Sequence, residues 1–378
     1  MKVNIISAIV SNKGYDDVFD MLEHMATRCE KLYILCKESG DFKNHDNLEI
    51  VCPNQPLSGF KFWFWAYKES KKIISKADKN EKFVFLQLVA GIMAGLLKFK
   101  FGKRVLNGTY LVSAEYAYRD NEFWYADKNS QHLNDELINA YKKVCKKKSF
   151  IQKISAVGND FIVGNSQLVI DDIEGKNCSK YVVNGNPLGE RWFEEKPVLD
   201  RHIDFIYAGN LQPPKGLDTL FLAFKNMIDK GVSANLYIVG GTKPYEEKWF
   251  NDLAITVKDY PVEILGKVSP QKLQNLYNQS KIFVFPSFYE GSPRVVNEAL
   301  CFNCDIIATD IPGVRSIDSK GEVINYFEAG NAEQLEQIMT KVLGNYKPIS
   351  YQEFAKRFTA DKIGDKFISV IEKELAKI

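Results

Sequence analysis

Short apolar runs recur along this chain, and between them lie stretches with apolar residues every three or four positions. Ile5–Val10, Lys31–Cys36 and Phe83–Leu88 read as strands. Between the first two, Asp16–Arg28 carries Val18, Leu22 and Met25 at helical spacing and predicts an amphipathic helix. Asn134–Lys147 predicts a second helix with a lysine-rich end, and Phe161–Val163 and Tyr181–Val183 predict short strands. A turn-rich stretch, Asn184–Gly189, and a charged one, Glu190–Asp200, interrupt the pattern. It then restarts. Ile203–Ala208, Asn235–Val239, Val262–Leu265, Ile282–Phe285, Asp305–Ala308 and Glu322–Ile324 read as strands, with helices over Gly216–Lys230 and Gln271–Gln279. A last helix from about Gln352 places Phe354, Phe358, Ile363, Phe367, Val370 and Ile371 at helical spacing.

Strands without polar alternation, separated by helices, imply parallel sheets covered on both faces. The expected fold is therefore α/β, with two doubly wound, Rossmann-like domains facing across a cleft. The expected divisions are residues 1–185, a linker at 186–200, residues 201–351, and a terminal helix at 352–378 that crosses back to the first domain. Ligands of such sheets bind at the carboxyl ends of strands, and in two-domain versions between the domains.

The length of 378 residues suits two cores. Hydrophobic residues make up 45% and charged residues 26%, a globular composition. The formal net charge of +2 argues against nucleic acid as a partner. The charge is uneven: residues 1–160 hold 25 Lys and Arg against 19 Asp and Glu. Seven scattered cysteines form no metal-ligand spacing and fit a reducing, cytoplasmic setting. Cys301 and Cys304 are spaced C-x-x-C but follow a helix, which reads as packing. The start, Met1–Ile6, reads as a strand rather than a signal peptide. Phe83–Leu97, an apolar stretch of 15 residues, is short for a membrane span and reads as a strand plus a helix.

The chemistry concentrates at 282–300. A strand runs into Pro286-Ser287-Phe288-Tyr289-Glu290-Gly291-Ser292-Pro293 and then into a helix that holds Glu298. Amides at a helix start lack intrahelical acceptors and attract phosphate. Two carboxylates eight positions apart bracket that anion site and suit sugar hydroxyls. This string, with Asp305–Asp310 and Gly313 beyond it, resembles the E-x7-E segment of retaining glycosyltransferases of the GT-B fold, in particular family 4. The resemblance implies that Glu290 meets the transferred sugar, that Glu298 meets the ribose, and that Gly291, Ser292, Pro293, Arg294 and Val295 form the phosphate-binding helix start.

Tyr207–Asp218 resembles the family's G-R-L…K-G segment. Lys215 then becomes the cation beside the diphosphate, with Gly209 and Gly216 flanking it. Asn210 stands where the family has arginine, which removes one of two usual cations, and Arg294 is the candidate to replace it. Gly240, in Val239-Gly240-Gly241, and Val268, in Gly266-Lys267-Val268, match segments that approach the nucleotide. In the first half, Gly14 belongs to the loop after the first strand, and Glu115 occupies the place of a family cleft histidine. Asn165-Ser166 matches a strand-end pair and equally reads as a helix cap.

The resemblance implies a nucleotide-diphosphate sugar as donor (UDP favoured, GDP the alternative), a glycan or lipid-linked acceptor, a role in surface polysaccharide synthesis, and neither metal nor other cofactor. Lys98–Arg104, Lys142–Lys148 and the aromatic Phe60–Trp65 suit an anionic membrane surface on the inner face; a solvated edge over core aromatics is the alternative. Asn210 and the missing histidine keep two other readings open: a catalytically weak binding subunit, and a sugar-nucleotide epimerase on the same fold.

Overall fold

The structure is a computed structural model and describes residues 3–9, 16–37, 45–55, 57, 60–87, 91–111, 135–143, 158–171, 178–194 and 200–378. Its contacts divide the chain into two units, each built on one parallel sheet. The first unit contains β1 (Asn4–Ile9), β2 (Lys31–Cys36), β3 (Leu48–Val51), β4 (Phe83–Gln87), β5 (Val105–Leu111), β6 (Phe161–Gly164) and β7 (Ser179–Val182), in the order β3-β2-β1-β4-β5-β6-β7. The second contains β8 (Ile203–Ala208), β9 (Leu236–Val239), β10 (Val262–Gly266), β11 (Ser280–Phe285), β12 (Asp305–Thr309) and β13 (Ile324–Phe327), in the order β10-β9-β8-β11-β12-β13.

Both sheets are covered on both faces, which is why their strands lack polar alternation. In the first unit Ile5, Ile34, Val84 and Leu106 pack into a core shared with helix α1 (Asp16–Ala26). The alternate positions Ile6, Leu35, Phe85 and Val105 pack into a second core with α2 (Phe60–Lys76) and α3 (Gly91–Phe101). The second unit buries Phe205, Tyr207, Ile282 and Val284 against the helices Leu217–Asp229 and Ala332–Gly344.

Two strands escape the hydrophobic pattern. β3 is a four-residue edge strand interrupted by Glu49. β5 carries Asn107, Gly108 and Thr109 in its middle, yet Asn107 and Thr109 are fully buried. Their polar groups are met locally: Asn107 Nδ2 donates to the Gly158 carbonyl at 2.9 Å, and the Thr109 hydroxyl to Asn159 Oδ1 at 3.1 Å. The aromatic run Phe60–Trp65 opens α2, whose buried stripe is Phe62, Ala66, Ser70 and Ile74 at a spacing of four.

The units are not two consecutive halves. The first comprises Met1–Glu115, Lys147–Arg191 and Phe358–Ile378; the second comprises Tyr116–Lys146 and Trp192–Arg357. Helix 135–143 belongs to the second unit because Leu137 and Tyr141 enter its core. The stretch expected as a linker starts inside the first unit, where Leu188 bridges Thr359 and Arg191 pairs with Asp17. The expected terminal helix is broken: Gln352–Ala355 stays with the second unit, and Ala360–Leu375 packs on α1 in the first.

The helix Ala360–Leu375 fills the first core with Ile363, Phe367 and Ile371. The Phe367 ring meets Tyr110 edge-on at 4.7 Å, and Asp365 pairs with His24 and Arg28. Phe367→Ala should lower unfolding stability by about 3–5 kcal/mol through the cavity it leaves. Ser369→Ala on the exposed side should stay within about 0.5 kcal/mol of wild type. Denaturant titration checks both; equal midpoints for the two variants would remove this helix from the core.

Candidate active site

In the second sheet the strand order reverses between β8 and β11, which pair directly, with Ile282 beside Phe205. The loops leaving their carboxyl ends diverge there and open the crevice in which doubly wound sheets bind ligands. The first loop carries Gly209 to Gly216 and the second Pro286 to Pro293. Phe288 N–H and the Ser287 hydroxyl both bond the Pro214 carbonyl, at 2.9 and 3.2 Å. Gly216 has φ +68°, and a Cβ there would lie 2.1 Å from the Pro286 carbonyl oxygen. The close approach therefore requires glycine.

This junction brings Lys215 and Glu290 together, 75 positions apart in sequence, as an ion pair. Both side chains are largely buried, at 17% and 18% exposure, so their attraction is screened less than at a surface. Ser287 Oγ supports the same carboxylate oxygen at 3.3 Å. The helix Arg294–Cys301 begins a few residues later, with Pro293 as its cap. The amides of its first turn, near Ser292, supply the positive end of its dipole.

Glu298 sits one turn into that helix and is buried. Arg294 Nε lies 2.8 Å from its Oε1, and the Tyr277 hydroxyl donates to Oε2 at 3.4 Å. The Arg294 guanidinium also lies over the Trp192 ring at 5.8 Å. Arg294 was the expected stand-in for the arginine missing at position 210, and here its charge is committed to Glu298. Burial, and secondarily the Glu298 carboxylate, raise the Tyr277 hydroxyl well above its ordinary range, so it is a neutral donor. Burial and then Glu290 do the same to Tyr207, whose hydroxyl bonds the Asn210 carbonyl at 2.9 Å.

The neighbouring loops close on the same edge. Gly240 follows β9, and a Cβ on it would lie 1.7 Å from the Gly209 carbonyl oxygen. Its N–H bonds the Gly266 carbonyl at 2.9 Å, which brings the segment of half-buried Val268 alongside. Asn210 is exposed on the first loop. The structure thus gathers Gly209, Asn210, Lys215, Gly240, Glu290 to Val295 and Glu298 on the carboxyl edge of one sheet, with Val268 on the adjoining loop. Gly14 and Glu115 lie outside the described residues. In the first unit Ser166 Oγ accepts from Val169 N–H at 3.4 Å, a helix-capping contact.

Glu246 is the residue that the sequence pattern missed. It is fully buried and accepts from the Lys243 amide at 2.8 Å, from Gln212 Nε2 at 3.4 Å and from the Tyr141 hydroxyl. One carboxylate so ties the loop after β8, the loop after β9 and helix 135–143. Its local signal was Pro244 at a helix start with a glutamate two residues on; Tyr141 gave none. Cys301 and Cys304 are buried packing residues, and burial pushes the Cys304 thiol up to about 12. Among the described residues no three His, Cys, Asp or Glu side chains gather as metal ligands.

Residues 202–345 match the family model described as glycosyl transferases group 1, and this span contains the whole constellation. The matched span thus carries a glycosyl transferases group 1 domain, and the chain has the GT-B fold. Its fold is similar along its full length to sucrose-phosphate synthase of Thermosynechococcus elongatus, with a TM-score of 0.69, 14% identity and 100% of each chain covered. Anabaena HepE in complex with UDP and glucose matches with a TM-score of 0.65 and 14% identity, over 97% of this chain and 99% of that one. In sequence, the chain is 23% identical to the capsular polysaccharide biosynthesis glycosyltransferase CapM of Staphylococcus aureus, over 45% of this chain and 44% of CapM. The chain thus spans less than half the length of that curated relative.

If Arg294 serves Glu298, Arg294→Ala should destabilise the protein by about 1–3 kcal/mol by leaving a buried carboxylate without its cation. Adding Glu298→Ala should recover part of that loss. A double-mutant cycle read by thermal unfolding tests this; additive effects would show that the guanidinium is independent of Glu298.

Proposed function

We propose that the protein transfers a sugar, with retention, from a nucleotide-diphosphate sugar to a glycan or lipid-linked acceptor in surface polysaccharide synthesis. The observation that carries this reading is the convergence of Lys215, Glu290 and the start of the helix Arg294–Cys301 at the reversal point of one sheet. A preorganised cation and helix amides suit a diphosphate leaving group, whose charge grows as the glycosidic bond breaks. In this reading the diphosphate binds Lys215 and the amides of Ser292–Val295. Glu290, relieved of part of its ion pair, accepts from hydroxyls of the transferred sugar. Glu298 accepts from the ribose hydroxyls with the lone pairs that Arg294 and Tyr277 leave. The departing phosphate oxygen takes the acceptor's proton.

UDP is favoured because HepE, of similar fold, binds UDP and glucose. The role of CapM in capsular polysaccharide biosynthesis supports the polysaccharide setting. Lys215 and the helix amides, which would meet the charge of the leaving diphosphate, support metal-independent transfer. Among the described residues no helix is long and apolar enough to cross a membrane. A peripheral, inner-face association is supported by Phe99, 92% exposed at the end of α3, with Leu96, Phe64 on α2, and Lys100 and Lys103 also exposed. The basic stretch contributes fewer free cations than its sequence suggests. Lys98 pairs with Asp160, and Arg104 donates to the carbonyls of Ile74, Asp78 and Glu81.

Incubation with UDP- and GDP-sugars in excess chelator should release nucleotide diphosphate, and NMR of the product should show the donor's anomeric configuration. Lys215→Ala should lower turnover at least about 100-fold, the scale of one lost transition-state donor. An inverted product, or full activity of Lys215→Ala, overturns the mechanism. Conversion of donor to an isomeric nucleotide sugar without acceptor would instead mark an epimerase.

Exposed charges are screened within about 10 Å at 0.1 M salt. Binding to acidic vesicles should therefore weaken with salt, and should fall in a Phe99→Ser, Lys100→Ser, Lys103→Ser variant. Equal co-sedimentation of this variant and wild type would return the face to plain solvent.

A further inference from the structure

We propose that the first unit carries a second sugar site, an open cleft between the carboxyl end of β3 and α2 that takes a neutral pyranose of an elongated glycan acceptor. The inference rests on the glycan-acceptor reading above. The cleft encloses about 500 Å³, within the ordinary range of roughly 300–1,000 Å³ for ligand sites. On one side Val51 and Cys52 leave β3, and Asn54 and Gln55 follow on the loop. On the other side Trp65, Glu69 and Lys72 share one face of α2, at spacings of four and three.

The lining has the chemistry that a sugar ring needs. Trp65 is half-buried, and its ring is backed by that of fully buried Phe62 at 5.6 Å. An aromatic body fixed this way offers a flat apolar surface to the C–H face of a pyranose. Hydroxyls at the ring edge need both donors and acceptors. The amides of Asn54 and Gln55 supply both, and the Glu69 carboxylate accepts. Lys72 Nζ lies 2.7 Å from Glu69 Oε1, which orients the carboxylate and leaves the pair without net charge. A neutral, bifunctional lining favours hydroxyls over phosphate.

Position separates this cleft from the point where the first sheet reverses. β3 is the edge strand, two strands out from β1, roughly 10 Å away at the usual strand spacing. A ring held here is a different unit of the chain from one lying at the β1–β4 reversal. Such a site gives longer acceptors an advantage by making the binding of one residue intramolecular to that of the next.

The test uses the full chain saturated with UDP, with methyl glucoside, methyl galactoside and maltotriose as probes. Saturation-transfer NMR should show ring protons in contact with wild type. Trp65→Ala should weaken binding at least 10-fold, Trp65→Phe should retain part of it, and Glu69→Gln, a change at a partly exposed side chain, should weaken it with the fold intact. The probe should also slow alkylation of the half-buried Cys52 by iodoacetamide in wild type and leave it unaltered in Trp65→Ala. Donor hydrolysis without acceptor should be unchanged in all three variants, while the acceptor KM rises in Trp65→Ala. Equal probe binding by wild type, Trp65→Ala and Glu69→Gln overturns the second site and leaves the transferase reading standing. Absent donor hydrolysis with probe binding that still depends on Trp65 overturns the transferase reading and leaves a sugar-binding cleft.

Discussion

The candidate site depends on the direct parallel pairing of β8 with β11. That pairing places the ends of two strands far apart in sequence side by side, and their loops must leave in opposite directions. The charged pair of the site hangs from those loops, Lys215 on one and Glu290 on the other, with the helix start just beyond it. The loops are held together by main-chain contacts, with Pro214 accepting from Phe288 and Ser287 and no room for a side chain at Gly216. The charged pair therefore meets on a rigid frame. Two charges brought together in a largely buried place neutralise each other, and in the proposed reading an incoming diphosphate would compete with Glu290 for the lysine.

The second half of the chain was legible because its physics is local. Ile282–Phe285 is apolar at every position, and Ile203–Ala208 at all but Asp204, because both faces of their sheet are covered, and the glycines and prolines after them mark the turns. Lys215, Glu290 and Glu298 stood out because each falls in a short string of glycines, prolines and fixed spacing that follows a buried strand. What a linear reading could not supply was partnership across sequence. Arg294 looked available as a cation, and its engagement by Glu298 and Trp192 becomes visible only once Trp192 is brought in from outside the motif. Glu246 reads as one more surface glutamate until Tyr141, 105 positions away, is placed on it.

The first half was harder to read for a related reason. β5 is a central strand with an asparagine, a glycine and a threonine in its middle, and a hydrophobicity pattern discards such a stretch. Its polar groups are satisfied by Gly158, Asn159 and Asp160, which arrive about fifty residues later. Likewise the aromatic run at the start of α2 suggests a surface patch until the helix assigns Phe62 to the core and Phe64 to solvent. Composition located the chemistry of this half only coarsely.

The way the chain is threaded through its two cores has a consequence for its synthesis. The first core is closed by residues 360–375, while the second takes Leu137 and Tyr141 from a helix made long before its own strands. A ribosome delivers the sequence in order, so the first unit to begin is the last to be finished. The part of its apolar sheet face where Phe367 belongs, beside α1, stays open until residues 360–375 emerge. The second unit, once residue 357 is out, already has all of its pieces. A first unit that lacks residues 360–375 therefore presents apolar surface, the kind of species that chaperones protect.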